Sequence, residues 1–272
     1  MNNPDFAGGR PAAAADRRLG AVVLAAGKGT RMRSELPKVC HEVGGRPMVC
    51  AVVDACLEAG CETVAVVVGY QQHLVREALA SFGDSVVFAV QEEQLGTGHA
   101  VESARSELER LGLASAGADL FVLAGDGPLI RPATLGTLLL RHRGDGASAT
   151  LATSVIADPT GYGRIVRDTQ GRFRAIVEQK NATPEQLEIR EVNPSYYCFD
   201  ASELFTSLGA VGFDAVSGER YVTDVPAEMQ SRGLKVSVID AVPPEDVLSI
   251  NTPEQLAEVD RVFRSRRAGD QR

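Results

Sequence analysis

A rhythm of buried strands and helices in the first half of the chain limits the fold more than any other feature. Apolar, β-branched runs recur at residues 20–26 (GAVVLAA), 63–69 (TVAVVVG), 85–90 (SVVFAV) and 119–125 (DLFVLAG). Each is short and nearly continuous, whereas a strand with one wet face would alternate apolar and polar residues. Helical patterns fill the gaps. PMVCAVVDACLEAG (47–60) opens on proline and closes on glycine, the usual asymmetry of helix ends, and QQHLVREALASFG (71–83) also closes on glycine. TGHAVESARSELERLG (97–112) is expected to be capped by Thr97. This alternation predicts right-handed βαβ crossovers and an α/β, Rossmann-like doubly wound, mostly parallel sheet.

After residue 150 the rhythm changes. GRIVRDTQGRFRAIVEQ (163–179) reads as a hairpin with a glycine turn. PSYYCFD (194–200) and KVSVID (235–240) read as short strands, and TPEQLAEVDRVFRSRR (252–267) as a closing amphipathic helix capped by Thr252. The antiparallel elements form an inserted subregion that could cover a substrate. Residues 1–18 have no apolar core of the kind a signal peptide needs and read as a disordered tail. No apolar run approaches the roughly 18 to 20 residues of a membrane helix, so no membrane partner is expected. The five cysteines include no C-x-x-C pair, which suggests free thiols in a reducing cytoplasm.

The net charge of -8 argues against nucleic acid as a partner. An acidic protein that binds anions must gather its cations locally, and Lys28, Arg31, Arg33 and Lys38 do so just after the first apolar run. They follow a glycine turn, Gly27-Lys28-Gly29-Thr30-Arg31-Met32. A dinucleotide fingerprint would need a third glycine where Met32 stands and an acid after the second strand, where Gly69 and Tyr70 stand. The Walker pattern is absent as well. What remains is a phosphate-binding loop of another kind.

The stretch LAAGKGTRM followed by LPKV resembles the opening of the sugar-phosphate nucleotidyltransferases. QEEQLGTGHA (91–100), GDGPLI (125–130), DPTGYGRI (158–165), IVEQKNATPEQ (176–186), EVNP (191–194), YVTD (221–224) and SIN (249–251) follow in order. Together they are similar to the uridylyltransferase half of the bifunctional GlmU enzymes of bacteria. The resemblance covers about residues 19 to 265: a nucleotide-binding half (19–150), an acceptor sugar-binding half (151–250) and a closing helix (251–265), with a further tail at 266–272.

The resemblance implies UTP and a sugar 1-phosphate as substrates, and Mg²⁺ as cofactor. Leu24, Ala25, Ala26 and Gly27 would pass their backbone by the uracil and ribose, and Gln91, Gly96 and Thr97 would read the base. Arg31 and Lys38 would hold the triphosphate, Asp126 and Asn251 the metal, and Gly163, Glu178 and Asn193 the sugar. The residues themselves agree in part. Asp126 ends the run LFVLAGD, and the carboxyl edge of an open α/β sheet is where ligands bind. A helix cap is the plain alternative for Asp126, an outward strand position for Glu178, and a turn before the Thr252 cap for Asn251. His41, His73, His99 and His142 lie apart in sequence and are expected at the surface or satisfied in the core.

Three departures fall on the sugar side. Pro194 and Ser195 stand where the family commonly has Thr-Gly, and Arg220 replaces a tyrosine before VTD. No hexapeptide repeat follows, so acetylation of glucosamine 1-phosphate is expected from a separate acetyltransferase. The expected activity is transfer of uridylyl from UTP to N-acetylglucosamine 1-phosphate in the cytoplasm. The alternatives are a related enzyme with another sugar phosphate or NTP, and a non-catalytic nucleotide-sugar-binding protein.

Overall fold

The valine-rich runs form parallel strands wrapped by helices. The computed structural model describes residues 17–215 and 217–270. In chain order the first half gives β1 (Arg18–Ala25), β2 (Glu42–Val43), β3 (Arg46–Pro47), α1 (Met48–Glu58), β4 (Thr63–Val68) and α2 (Gln72–Ala78). It continues with β5 (Val86–Val90), α3 (Thr97–Ser103), α4 (Arg105–Arg110), β6 (Ala118–Ala124) and α5 (Pro132–Asp145). The second half gives β7 (Ala149–Val155), β8 (Gly163–Arg167), β9 (Phe173–Val177), α6 (Pro184–Leu187) and β10 (Glu191–Asp200). It ends with α7 (Ala201–Ala210), α8 (Val225–Ser231), β11 (Val236–Asp240) and α9 (Pro253–Asp270).

The main sheet runs β11-β7-β10-β6-β1-β4-β5. Strand β1 is parallel to β4 and β6, β4 to β5, and β7 to β11, while β10 runs antiparallel between β6 and β7. The β8–β9 hairpin hangs from β10 through the pairs Val192–Arg164 and Asn193–Gly163. Alternate residues of β6 show why its run is continuous. Phe121 and Leu123 pack with α1 and α5 on one face, Leu120 and Val122 with α3, α4 and α7 on the other.

The chain leaves β1 for β4 and β5, then returns to the opposite side of β1 as β6. The carboxyl ends of β1 and β6 therefore lie side by side, with Leu24 opposite Ala124. Strand order reverses there, which opens a crevice at the sheet edge.

Several expectations are corrected. Residues 1–16 of the expected tail lie outside the described residues, but Arg17 is held by ion pairs and Arg18 starts β1. Helix α9 runs to Asp270 through the segment read as a second tail, and Arg266 in it is paired with Asp246. Thr97 is not a cap: it is the first residue of α3, and its hydroxyl accepts the Val222 N–H at 3.0 Å. Thr252 does cap α9, accepting the Gln255 N–H at 3.3 Å. The cysteines are buried and unbridged. Among the described residues no helix is long and apolar enough to cross a membrane.

The amino end of β6 carries the most deeply buried ion cluster. Asp119 is fully buried, accepting from Arg17 Nε and Arg143 Nε, each at 2.7 Å, and lying 3.5 Å from His142 Nε2. Burial would push this carboxyl up, but hydrogen bonds from His142, Arg17 and Arg143 outweigh it and hold it well below the usual carboxylate range. A lowered carboxyl pKa gives stability that is present above the unfolded value of about 3.9 and lost as pH falls towards the folded one. Removing one partner of a buried pair costs roughly 3 to 5 kcal/mol. Arg17 and Arg143 keep 25% and 21% exposure and can partly rehydrate. Asp119→Ala is therefore expected at or below the low end of that range in urea unfolding near neutral pH, and unchanged stability would refute the role.

Candidate active site

The glycine-rich, cationic loop leaves β1 at the crevice and folds back against Lys38. Gly29 has φ 71°, and a Cβ there would lie 2.5 Å from Lys38 Cβ, so only glycine lets the loop lie against Lys38 without strain. Lys38 then reaches two segments distant in sequence. Its ammonium pairs with Asp126, just past β6, and donates to Asn251 Oδ1 at 2.7 Å. Arg31 Nη2 donates to the same oxygen at 2.8 Å. A backbone bond from Ile250 N–H to the Asp126 carbonyl fixes the two segments together. Of the other loop cations, Lys28 lies 5.0 Å over the Tyr70 ring and 3.8 Å from Glu35.

The plain alternative fails for Asp126 and holds for the backbone position of Asn251. Asp126 caps no helix, because α5 starts at Pro132 and its N-terminus has no side-chain cap. Asn251 precedes the Thr252 cap, but its side chain holds two cations. The oxygens of Asp126 and Asn251 converge on the point where the Lys38 ammonium sits. They are hard donors beside a phosphate loop, which fits Mg²⁺, an ion that takes one or two protein carboxylates and completes its shell with phosphates and water.

A cleft of about 400 Å³ runs from this point across the sheet edge. Leu24, Ala25, Ala26 and Gly27 line it, as do Gln91, Gly96 and Thr97. Lys38, Asp126 and Glu178 line it as well. Arg31 and Asn251 adjoin the cleft through Lys38. Gly163 and Asn193 do not reach its wall. Asn193 is buried and donates to the Tyr197 hydroxyl at 2.6 Å, so Tyr197 presents the surface that Asn193 was expected to present. Gly163 pairs with Asn193 one strand further out.

Glu178, just past β9, is half-buried and accepts from the Thr223 hydroxyl at 3.1 Å. Burial raises its pKa above the ordinary glutamate value. Ser195 also lines the cleft, at a bulge in β10, with φ 65°. Its N–H donates to Asn193 Oδ1 at 3.2 Å. Sequence reasoning assigned no role to Gln94, Tyr197, Tyr221 or Thr223, which line the cleft too. Gln94 Nε2 donates to the Ala26 carbonyl at 2.7 Å and so links the segment after β5 to the chain just past β1. The available signal was that Gln94 falls within QEEQLGTGHA, and Tyr221 and Thr223 within YVTD.

Residues 21–183 match the family described as MobA-like NTP transferase domain. The chain belongs to this family. Among its relatives, a bifunctional protein GlmU from Heliobacterium modesticaldum is 47% identical over 247 residues, covering 90% of this chain and 52% of that protein. The Geobacter metallireducens GlmU is 44% identical over 248 residues, covering 91% and 51%. The chain thus spans about half the length of the curated relatives it matches. In fold it is similar to a crystal structure of apo UDP-glucose pyrophosphorylase, with a TM-score of 0.71 at 16% identity, over 92% of this chain and 99% of that one. The nucleotidyltransferase fold, with its mostly parallel sheet, is thereby established.

Lys38 touches both Asp126 and Asn251. Lys38→Ala is expected to lower kcat for pyrophosphate release by about 10² to 10³, the size seen on removing one charge-stabilising donor. The fold should survive, since Lys38 is not a core residue. A variant with wild-type kcat would remove Lys38 from the chemistry.

Proposed function

We propose that this chain is a nucleotidyltransferase that joins UTP and N-acetyl-α-D-glucosamine 1-phosphate, giving UDP-N-acetylglucosamine and pyrophosphate. One observation carries the reading: Lys38 and Arg31 meet beside Asp126 at the strand-order switch, on a cleft whose far wall carries Glu178. The relatives named GlmU support the choice of UTP and of this sugar.

The chemistry follows from charge. A phosphate oxygen of the sugar phosphate attacks the α-phosphorus of UTP, and the bond from that phosphorus to the pyrophosphate oxygen breaks. The attacking oxygen is already ionised near neutral pH, so no protein base is needed. The obstacle is repulsion between two anions. Lys38, Arg31 and the loop N–H groups offset it and steady the charge on the leaving group. Mg²⁺, held by Asp126 and Asn251, would add a further positive charge between the phosphates. Glu178 and Tyr197 orient the sugar.

A second reading, another sugar phosphate, draws on Pro194, Ser195 and Arg220. Proline offers no N–H where the family commonly has threonine, and the Ser195 side chain narrows the acceptor end. A panel of NTPs and sugar 1-phosphates with Mg²⁺, read by pyrophosphate release, tests both. UTP with N-acetylglucosamine 1-phosphate should give the highest kcat/KM; a higher value for dTTP with glucose 1-phosphate would overturn the assignment.

Glu178 touches groups that do not react, so its contact is similar in ground and transition states. Glu178→Ala should mainly raise KM for the sugar phosphate and leave KM for UTP near normal. Because burial raises the Glu178 pKa, the acid-side rise in that KM should begin above the ordinary glutamate range near about 4.3. A rise confined to KM for UTP would place the β8–β9 hairpin over the wrong substrate.

A further inference from the structure

The base end of the cleft holds a hydrogen-bond chain that the mechanism above leaves unused. Gln91 follows β5, is 5% exposed and lines the cleft. Its Nε2 lies 3.0 Å from the Gly96 carbonyl oxygen and 3.1 Å from His99 Nδ1. A carbonyl oxygen only accepts, so the amide nitrogen, and not the amide oxygen, must face Gly96. That nitrogen has two hydrogens and no lone pair to offer. The contact with His99 therefore requires a bare Nδ1, with the imidazole proton on Nε2. His99 was expected at the surface or satisfied in the core; it lies instead against a cleft residue.

This arrangement leaves Gln91 Oε1 for a ligand. Among the described residues no group donates to it. Gly96 alone fixes which end of the amide faces it, but a single hydrogen bond about a broad terminal torsion leaves the amide plane free to swing and the oxygen poorly aimed. The second partner, His99, fixes that plane.

We infer that His99 is a positioning residue for base selection: its bare Nδ1 holds the Gln91 amide with the oxygen facing the cleft, so the cleft takes a pyrimidine that carries N3–H. An accepting oxygen bonds the N3–H of uracil and meets the N3 lone pair of cytosine with repulsion. The inference rests on the reading of this cleft as a nucleotide site and adds the rule by which it sorts nucleotides. His99 touches no substrate in this scheme and acts only through Gln91.

Two variants separate the acceptor from the ring. His99→Phe keeps a ring and loses the acceptor; His99→Asn loses the ring and places Oδ1 where Nδ1 was. For each, kcat/KM and equilibrium binding would be measured with UTP and CTP in Mg²⁺. His99→Phe should narrow the preference for UTP over CTP by roughly tenfold or more, the scale of one buried hydrogen bond. His99→Asn should keep it near the wild-type ratio. If His99→Phe does not fold, His99→Leu gives the same comparison. A wild-type protein with no preference for UTP over CTP would overturn the base reading of the cleft and this inference with it. A wild-type preference that survives in His99→Phe, or is lost in His99→Asn, would overturn the positioning role alone and leave the proposed reaction standing.

Discussion

Two like charges share one oxygen at the centre of this structure. Lys38 and Arg31 both donate to Asn251 Oδ1, within a chain whose net charge is -8. Bringing two cations together is unfavourable unless something holds them, and three devices do. Gly29 lets the loop close on Lys38, Asp126 neutralises the ammonium, and the Ile250–Asp126 backbone bond sets the position of Asn251. Lys38 and Asp126 are 16% and 21% exposed, so they interact in a medium far less screening than water. The two cations are thus gathered and held in place by the fold itself.

The sheet serves this requirement. Parallel order around β1 places the loop after β1 and Asp126 after β6 at adjoining strand ends. The antiparallel β10 then turns the chain back beside β6, and the β8–β9 hairpin it carries brings Glu178 to the lining of the cleft. Lys38 and Asp126 thus rest on the parallel half, with Asn251 just before α9, while Glu178 and Ser195 rest on the inserted hairpin and the bulge of β10.

Legibility in the sequence followed the same division. The strands of the parallel half were readable because burial on both faces leaves a continuous apolar run. Strand β7 was not, although it is buried, because Thr150, Thr153 and Ser154 lie inside it. Thr150 bonds His142 and Thr153 bonds Glu191, partners that no local pattern reveals. The phosphate loop and Asp126 could be placed from residue type and strand position. The meeting of Lys38 with Asn251, 213 residues apart, could not. Thr97 shows the opposite failure: its local position favours a cap, yet its hydroxyl is taken by Val222 N–H, because tertiary structure supplied a better donor.

Ser195 shows how one part of the cleft lining is held independently of Lys38 and Asp126. A non-glycine residue at φ 65° costs of order 1 to 3 kcal/mol and persists only where its surroundings fix it. Pro194 restricts the backbone before it, and Asn193 Oδ1 accepts the Ser195 N–H from behind. Asn193 then uses its amide nitrogen on Tyr197, so one buried side chain both supports the strained turn and sets the tyrosine that lines the cleft. Its exchange for an apolar residue would leave the Tyr197 hydroxyl and the Ser195 N–H without these partners and release the bulge. None of these bonds reaches Lys38, Arg31 or Asn251. Under the proposed function, a substitution in the bulge would therefore act on the choice of acceptor, while Lys38, Arg31 and Asn251 keep the bonds that hold them together.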